Sequence, residues 1–140
     1  KTNEYVARNL LRGNFMLDDA IHNVTSRYRK VILVTADKTL TAADSGCLFV
    51  TNGSGAINFT LPAMLEGLEF TFYNAVDQNM TLTASPSDTF VIINDNAADS
   101  VALSTSSYKI GGAFDVIGLA SGKALVLPRV WASQTVTTAT

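Results

Sequence analysis

The sequence predicts an all-β fold, an antiparallel β-sandwich of jelly-roll type preceded by an extended N-terminal arm. Three observations carry that prediction. From Arg27 onward, short runs rich in Val, Ile, Phe and Thr recur at the spacing of about 8–12 residues expected of sandwich strands. Turn-forming residues separate them: Asn52-Gly53, Ser85-Pro86-Ser87-Asp88, Asn94-Asp95-Asn96 and Gly111-Gly112. Within the runs the apolar residues alternate with polar ones, the period of a strand and not of a helix. At 140 residues the chain is long enough for one domain with a hydrophobic core that needs neither metal nor disulfide.

Residues 1–26 read as an arm and residues 27–140 as the sandwich domain. Within the arm, Glu4–Arg12 has the character of a short helix stopped at Gly13, and Asn14–Val24 shows no clean period. Tyr5, Val6, Leu10, Leu11, Phe15, Met16 and Leu17 give the arm more apolar surface than a free tail carries, so they are expected to lie against a partner. Arg27 and Arg29, with Lys30, form a small basic cluster entering the first strand, suited to a solvated strand edge or to an acidic partner.

Arg29–Thr35 is a Val/Ile-rich strand. Cys47–Thr51 and Ala56–Leu61 flank the glycine-rich Thr51–Gly55, which predicts a hairpin because Asn and Gly both tolerate the positive φ of tight turns. Ala63–Glu66 allows one helical turn at most. Leu68–Asn74 alternates, with Leu68, Phe70 and Phe72 on one face, and Asn79–Ala84 sets Met80 and Leu82 opposite Thr81 and Thr83. Thr89–Ile93, Ser100–Ser104, Tyr108–Ile110, Ala113–Leu119, Lys123–Leu127 and Val130–Ser133 complete the strands, and Gln134–Thr140 is a Thr-rich tail or edge. Phe70, Phe72, Tyr73, Phe90, Phe114 and Trp131 are the expected core aromatics. No fixed-length repeat is visible, which argues against a solenoid or a propeller.

Composition narrows the function. Charged residues make up 16% of the chain, against about 25% in ordinary soluble domains. Thr, Ser, Asn and Ala fill the difference, as expected either of an uncharged β surface or of one that faces other protein. Residues 1–38 hold seven basic and four acidic side chains, and the remainder three basic and eight acidic. A balance of +3 is too small for a nucleic-acid arm. The lone Cys47 excludes an internal disulfide and reads as a buried thiol. No apolar stretch nears 18 residues, so no membrane span is expected, and no signal peptide is evident. Starting at Lys1 without an initiator Met, the chain reads as trimmed, processed or begun partway along its gene product.

Candidate chemistry is sparse. His22 is the only histidine and lies in the arm, away from any Ser and Asp arrangement a triad would need. One His and one Cys cannot supply three protein ligands to zinc. Asn94, Asp95, Asn96 and Asp99 offer oxygen ligands, but at no defined calcium spacing. Glu66 and Glu69 resemble a glycosidase pair only in composition, and Gly53 and Gly55 lack the Lys-Ser/Thr of a phosphate loop. Asn23, Asn52, Asn58 and Asn79 stand in glycosylation sequons, where roughly two would arise by chance in a chain this rich in Ser and Thr, so the four are weak evidence for glycosylation. The residues therefore point to no catalytic, cofactor or metal site.

Thr39-Leu40-Thr41-Ala42-Ala43-Asp44-Ser45-Gly46, an apolar strand, a glycine-rich turn and Phe59-Thr60-Leu61-Pro62-Ala63 follow one another. With Gly67-Leu68-Glu69-Phe70-Thr71-Phe72 and Trp131, this pattern resembles a β-domain of tailed-bacteriophage virion proteins, over roughly residues 35–133. Such domains occur in capsid decoration (cement) proteins and in head- or tail-fibre proteins. The resemblance implies a non-enzymatic structural protein made in the bacterial host cytoplasm and carried on the capsid exterior. Its implied partners are the major capsid protein and further copies of itself, a trimer before a dimer, with no nucleic acid and no membrane. The arm would supply contacts. The second reading is a tail-fibre, head-fibre or baseplate module that binds host glycans.

Overall fold

The strand alternation legible in the sequence recurs in the computed structural model, which describes residues 29–104 and 107–140. The chain divides into two units, Lys1–Lys30 and Val31–Thr140, and the strands belong to the second. They are β1 (Val31–Val34), β2 (Lys38–Thr39), β3 (Leu48–Thr51), β4 (Ile57–Thr60), β5 (Glu69–Asn74), β6 (Met80–Thr83), β7 (Thr89–Ile92), β8 (Asp95–Ala98), β9 (Ser100–Leu103), β10 (Ala113–Ala120), β11 (Lys123–Arg129) and β12 (Val136–Ala139). The only helical element among the described residues is a 3-10 turn at Ala42–Asp44, whose entry is held by the Thr41 N–H on Asp44 Oδ2 at 2.9 Å.

Two sheets form, in the orders β1-β3-β5-β10-β11-β7-β8 and β12-β9-β6-β4-β2. The first six strands alternate between them. Parallel registers stack Val31 on Leu48 on Thr71 in the larger sheet, and Lys38 on Phe59 on Leu82 in the smaller. The chain therefore winds through three rungs before any strand turns back. Corner bonds repeat from rung to rung, with Leu40 N–H on Thr60 O and Leu61 N–H on Thr83 O. Later strands then close the stack: β10 lies antiparallel on β5, β9 antiparallel on β6, and β7 parallel to β11.

This corrects the antiparallel jelly-roll expectation, because both sheets are mixed. It also corrects the hairpin. Strands β3 and β4 lie in different sheets, so Asn52–Ala56 is a corner. The physical reason is the core. Phe49 and Phe59 are both fully buried, and their rings meet at 5.9 Å across the sandwich, which two neighbouring strands of one sheet would not allow. Phe72 joins them, 5.5 Å from Phe49 and 4.8 Å from Phe59. Glycine serves the corner through close approach and not through positive φ. A Cβ on Gly53 would lie 2.8 Å from the Thr35 carbonyl oxygen of the preceding rung. Neither Asn52 nor Gly53 is among the positive-φ residues. The solenoid-like winding escaped notice in the sequence because the rungs differ in length and carry no shared signature.

Other elements moved. Tyr108–Ile110 and Val130–Ser133 are loops, β12 forms from the Thr-rich tail, and Asn94–Asn96 runs from a turn into β8. Phe70, Phe72, Phe90 and Phe114 are buried as expected. Tyr73 and Trp131 are not, standing 42% and 74% exposed.

The corner geometry separates two substitutions that a hairpin would treat alike. Asn52→Ala is expected to change stability by less than about 0.5 kcal/mol, because its backbone is ordinary. Gly53→Ala is expected to cost about 1–3 kcal/mol from crowding of the Thr35 carbonyl. Urea midpoints of the two variants check this, and an equal loss in both would restore the hairpin.

Candidate functional site

The two exterior faces of the sandwich differ sharply in chemistry. On the five-stranded sheet the outward positions fall into two rows. One is Thr39, Thr60, Thr83, Ser100 and Ala139, the other Asn58, Thr81, Ala102 and Thr137. Side chains bond along this surface, as in the 2.7 Å contact from the Thr83 hydroxyl to Asn58 Oδ1. An uncharged, hydroxyl-rich surface of this kind is readily hydrated.

The outer face of the seven-stranded sheet is aliphatic. Register places Val31, Leu48, Thr71, Asp115 and Leu127 in one row, and Leu33, Val50, Tyr73, Ala113 and Arg129 in the next. A third row holds Glu69, Ile117, Leu125 and Val91. Val31, Leu33 and Leu127 are 56%, 63% and 47% exposed. One polar line crosses this face. Thr71 Oγ1 donates to Asp115 Oδ1 at 2.9 Å, and Arg129 pairs with Asp115 Oδ2. Asp115 has its charge answered within the face by Arg129, which leaves Glu69, in the third row at the edge of β5, as the exposed charge beside the aliphatic positions.

A third feature lies in the loops at one end. Ser107, Tyr108, Ile110, Asp77, Trp131, Ser133 and Gln134 line an open cavity of about 380 Å³. Its walls belong to three different connections, and buried polar groups fasten them. Asn74 is fully buried at the end of β5; its Nδ2 donates to Gln78 O at 2.9 Å and to Lys109 O at 3.1 Å. Asn74 Oδ1 accepts the Thr51 hydroxyl at 2.6 Å, and that hydroxyl accepts the Ala75 N–H at 3.1 Å. Asp77 Oδ1 then takes the Lys109 N–H at 3.1 Å and faces the Lys109 ammonium at 3.9 Å. On the far wall Gln134 accepts the Trp131 N–H at 2.9 Å and donates to Ile110 O at 3.0 Å.

Most residues singled out in the sequence do not meet at a site. Tyr5, Val6, Leu10, Leu11, Phe15, Met16, Leu17, His22 and Arg27 lie outside the described residues. Arg29 is described and exposed just before β1. Glu66 sits in an exposed turn, and Glu69 lies on the outer face of β5. Asp95 turns its carboxylate back onto the Ala97 N–H at 2.9 Å, which makes it a turn residue, and Asp99 follows β8. Cys47 is buried. Among the described residues no cluster of three or more His, Cys, Asp or Glu is placed to hold a metal ion. No described helix is long and apolar enough to cross a membrane.

The sequence reading missed both the aliphatic face and the cavity. A signal for the first was present, since Val31, Leu33, Leu125 and Leu127 fill positions where a strand with one wet face carries polar residues. A signal for the clamp was that Asn74 falls in phase with the inward Phe70 and Phe72. Comparison of the chain with protein families, with curated proteins and with solved structures finds no match in any of the three.

Asn74→Ala is expected to strip partners from two carbonyls and one hydroxyl and to cost about 2–4 kcal/mol, the sum of more than one unsatisfied buried group. The loops are expected to loosen before the rungs do. Hydrogen exchange checks this, with faster exchange at Gly111 and Gly112 than at Phe72.

Proposed function

We propose that this chain is a non-enzymatic structural protein of a tailed-phage virion that coats the capsid and bridges shell subunits. The observation that carries the reading is the aliphatic outer face of the seven-stranded sheet. An uncharged β surface alone would explain Thr and Asn, as on the opposite face, but it does not explain rows of Val, Leu and Ile facing water. Contiguous exposed apolar surface marks association, and completing the burial of each half-exposed Val or Leu is worth about 1 kcal/mol. Across many copies on a shell, such modest contacts add through multivalency.

The sequence resemblance to virion β-domains supports the same reading and supplies the partners: the major capsid protein and further copies of this chain, a trimer before a dimer. The capsid exterior is the corresponding location. The arm residues Tyr5, Val6, Leu10, Leu11, Phe15, Met16 and Leu17, with Arg27 and Arg29, are proposed as a second set of contacts. Nucleic acid and membrane have no part in the proposal.

Co-sedimentation of the full chain with shells of the major capsid protein from the same genome tests it. The wild-type chain is expected to pellet with shells. Leu33→Glu combined with Leu127→Glu is expected to keep its circular dichroism spectrum and melting temperature while binding falls at least tenfold, about 1.4 kcal/mol. A double variant that binds normally would show that the wrong face was chosen. A wild-type chain that never pellets would sink the capsid reading itself.

A further inference from the structure

The loop cavity has no role in the assembly reading, and its chemistry is of a different kind from that of the aliphatic face. We propose that it is a binding site for a neutral glycan, with Trp131 and Tyr108 as stacking surfaces and Asp77 as the hydroxyl acceptor. The proposal stands independently of the capsid reading.

Exposure is the first observation. Trp131 is 74% and Tyr108 61% exposed, and both line the same cavity. A tryptophan left in water gives up the burial that makes it valuable in a core, so its place in the structure calls for a contact made from outside. The faces of pyranose rings carry C–H groups that pack on aromatic π-systems, and their edges carry hydroxyls that need acceptors and donors. Both kinds of surface occur here side by side. Asp77 presents a carboxylate that is 42% exposed, and Ser107, Ser133 and Gln134 share the lining. Polar and aromatic groups in one lining suit a ligand that is itself amphipathic at the scale of one ring.

Rigidity is the second observation. Exposed loops ordinarily lose affinity to the cost of ordering, yet these are fastened beforehand. Gln134 ties the Trp131 backbone to the Ile110 carbonyl through both ends of its amide. Lys109, next to Tyr108 in the chain, is buried, with its N–H on Asp77 Oδ1 and its carbonyl on the Asn74 clamp. Ser107 holds a φ of +64°, a left-handed conformation that costs energy in a non-glycine residue. The cavity of about 380 Å³ falls in the range of about 300–1,000 Å³ seen for small-molecule sites.

Charge decides the class of glycan. Asp77 is the one acidic side chain in the lining, and the Lys109 ammonium facing it is almost entirely buried. An acidic sugar would meet the carboxylate with its own charge, whereas vicinal hydroxyls donate to it.

Trp131 is the only tryptophan in the chain, so its fluorescence reports on this cavity alone. Maltotriose, mannotriose, chitotriose and galactan oligosaccharides titrated into the full chain test the proposal. At least one is expected to shift Trp131 emission to shorter wavelength with a Kd of about 1 mM or tighter. Retention of variants on that glycan in immobilised form is then expected to fall at least tenfold for Trp131→Ala, Tyr108→Ala and Asp77→Asn. Trp131→Phe should keep most of it, and Leu33→Glu should leave it untouched. No response to any of the four at about 20 mM would overturn the proposal. So would a glycan whose retention survives Trp131→Ala, or an emission shift produced only by a proline-rich peptide.

Discussion

The contact of Phe49, Phe59 and Phe72 is the constraint on which the rest of the structure depends. Three large rings come from three successive strands, two in one sheet and one in the other. Burying all three forces the chain to cross the sandwich after each short strand, so the early strands stack in parallel rungs. Fully burying a phenylalanine is worth roughly 1.5–3 kcal/mol against leaving it in water, and truncating a buried one costs about 3–5 kcal/mol. No corner bond in the stack approaches that size singly. The tight passage at Gly53 and the bond that the Asn58 N–H donates to Asp37 Oδ1 at 2.8 Å serve the crossing that the rings demand.

What the core consumes also defines what is left over. Inward positions hold chiefly Phe, Val and Ile in the larger sheet and Phe, Leu, Met, Ile and Val in the smaller, and the outward positions of the smaller sheet hold Thr, Ser, Asn and Ala. The outward positions of the larger sheet break this division of labour. Folding draws less from Val31, Leu33 and Leu127 than from any inward residue, because each keeps about half its surface in water. Residues that contribute little to folding yet raise the risk of aggregation are best understood through what they dock against. The Asp115 network fits this view, because it pairs the two charges of the first two rows, Asp115 and Arg129, with each other.

The sequence made faces legible and left neighbours obscure. Alternation in Met80–Thr83 and in Phe70 and Phe72 states which side chains point inward, and the structure keeps each of those assignments. Alternation is silent on which strand lies alongside, so Cys47–Thr51 and Ala56–Leu61 looked like a hairpin when the only local cue was Asn-Gly. The same limit hid the rungs, whose corners differ in length. Trp131 misled for another reason. Tryptophan is usually buried on average, and only the tertiary course of the loop after β11 shows that this one is held outside by Gln134. The tail strand β12 was hard to see because Thr137 and Thr138 gain their strand character from pairing with β9 and not from an apolar pattern of their own.

A reconstruction of the virion at side-chain resolution tests the central claim most directly. The account predicts the outer face of β1, β3, β5, β10 and β11 buried against shell protein or another copy of this chain, with the threonine face of β4, β6 and β9 in solvent. Density that showed Leu33 and Leu127 facing water, with Thr60 and Thr81 at the contact, would contradict it.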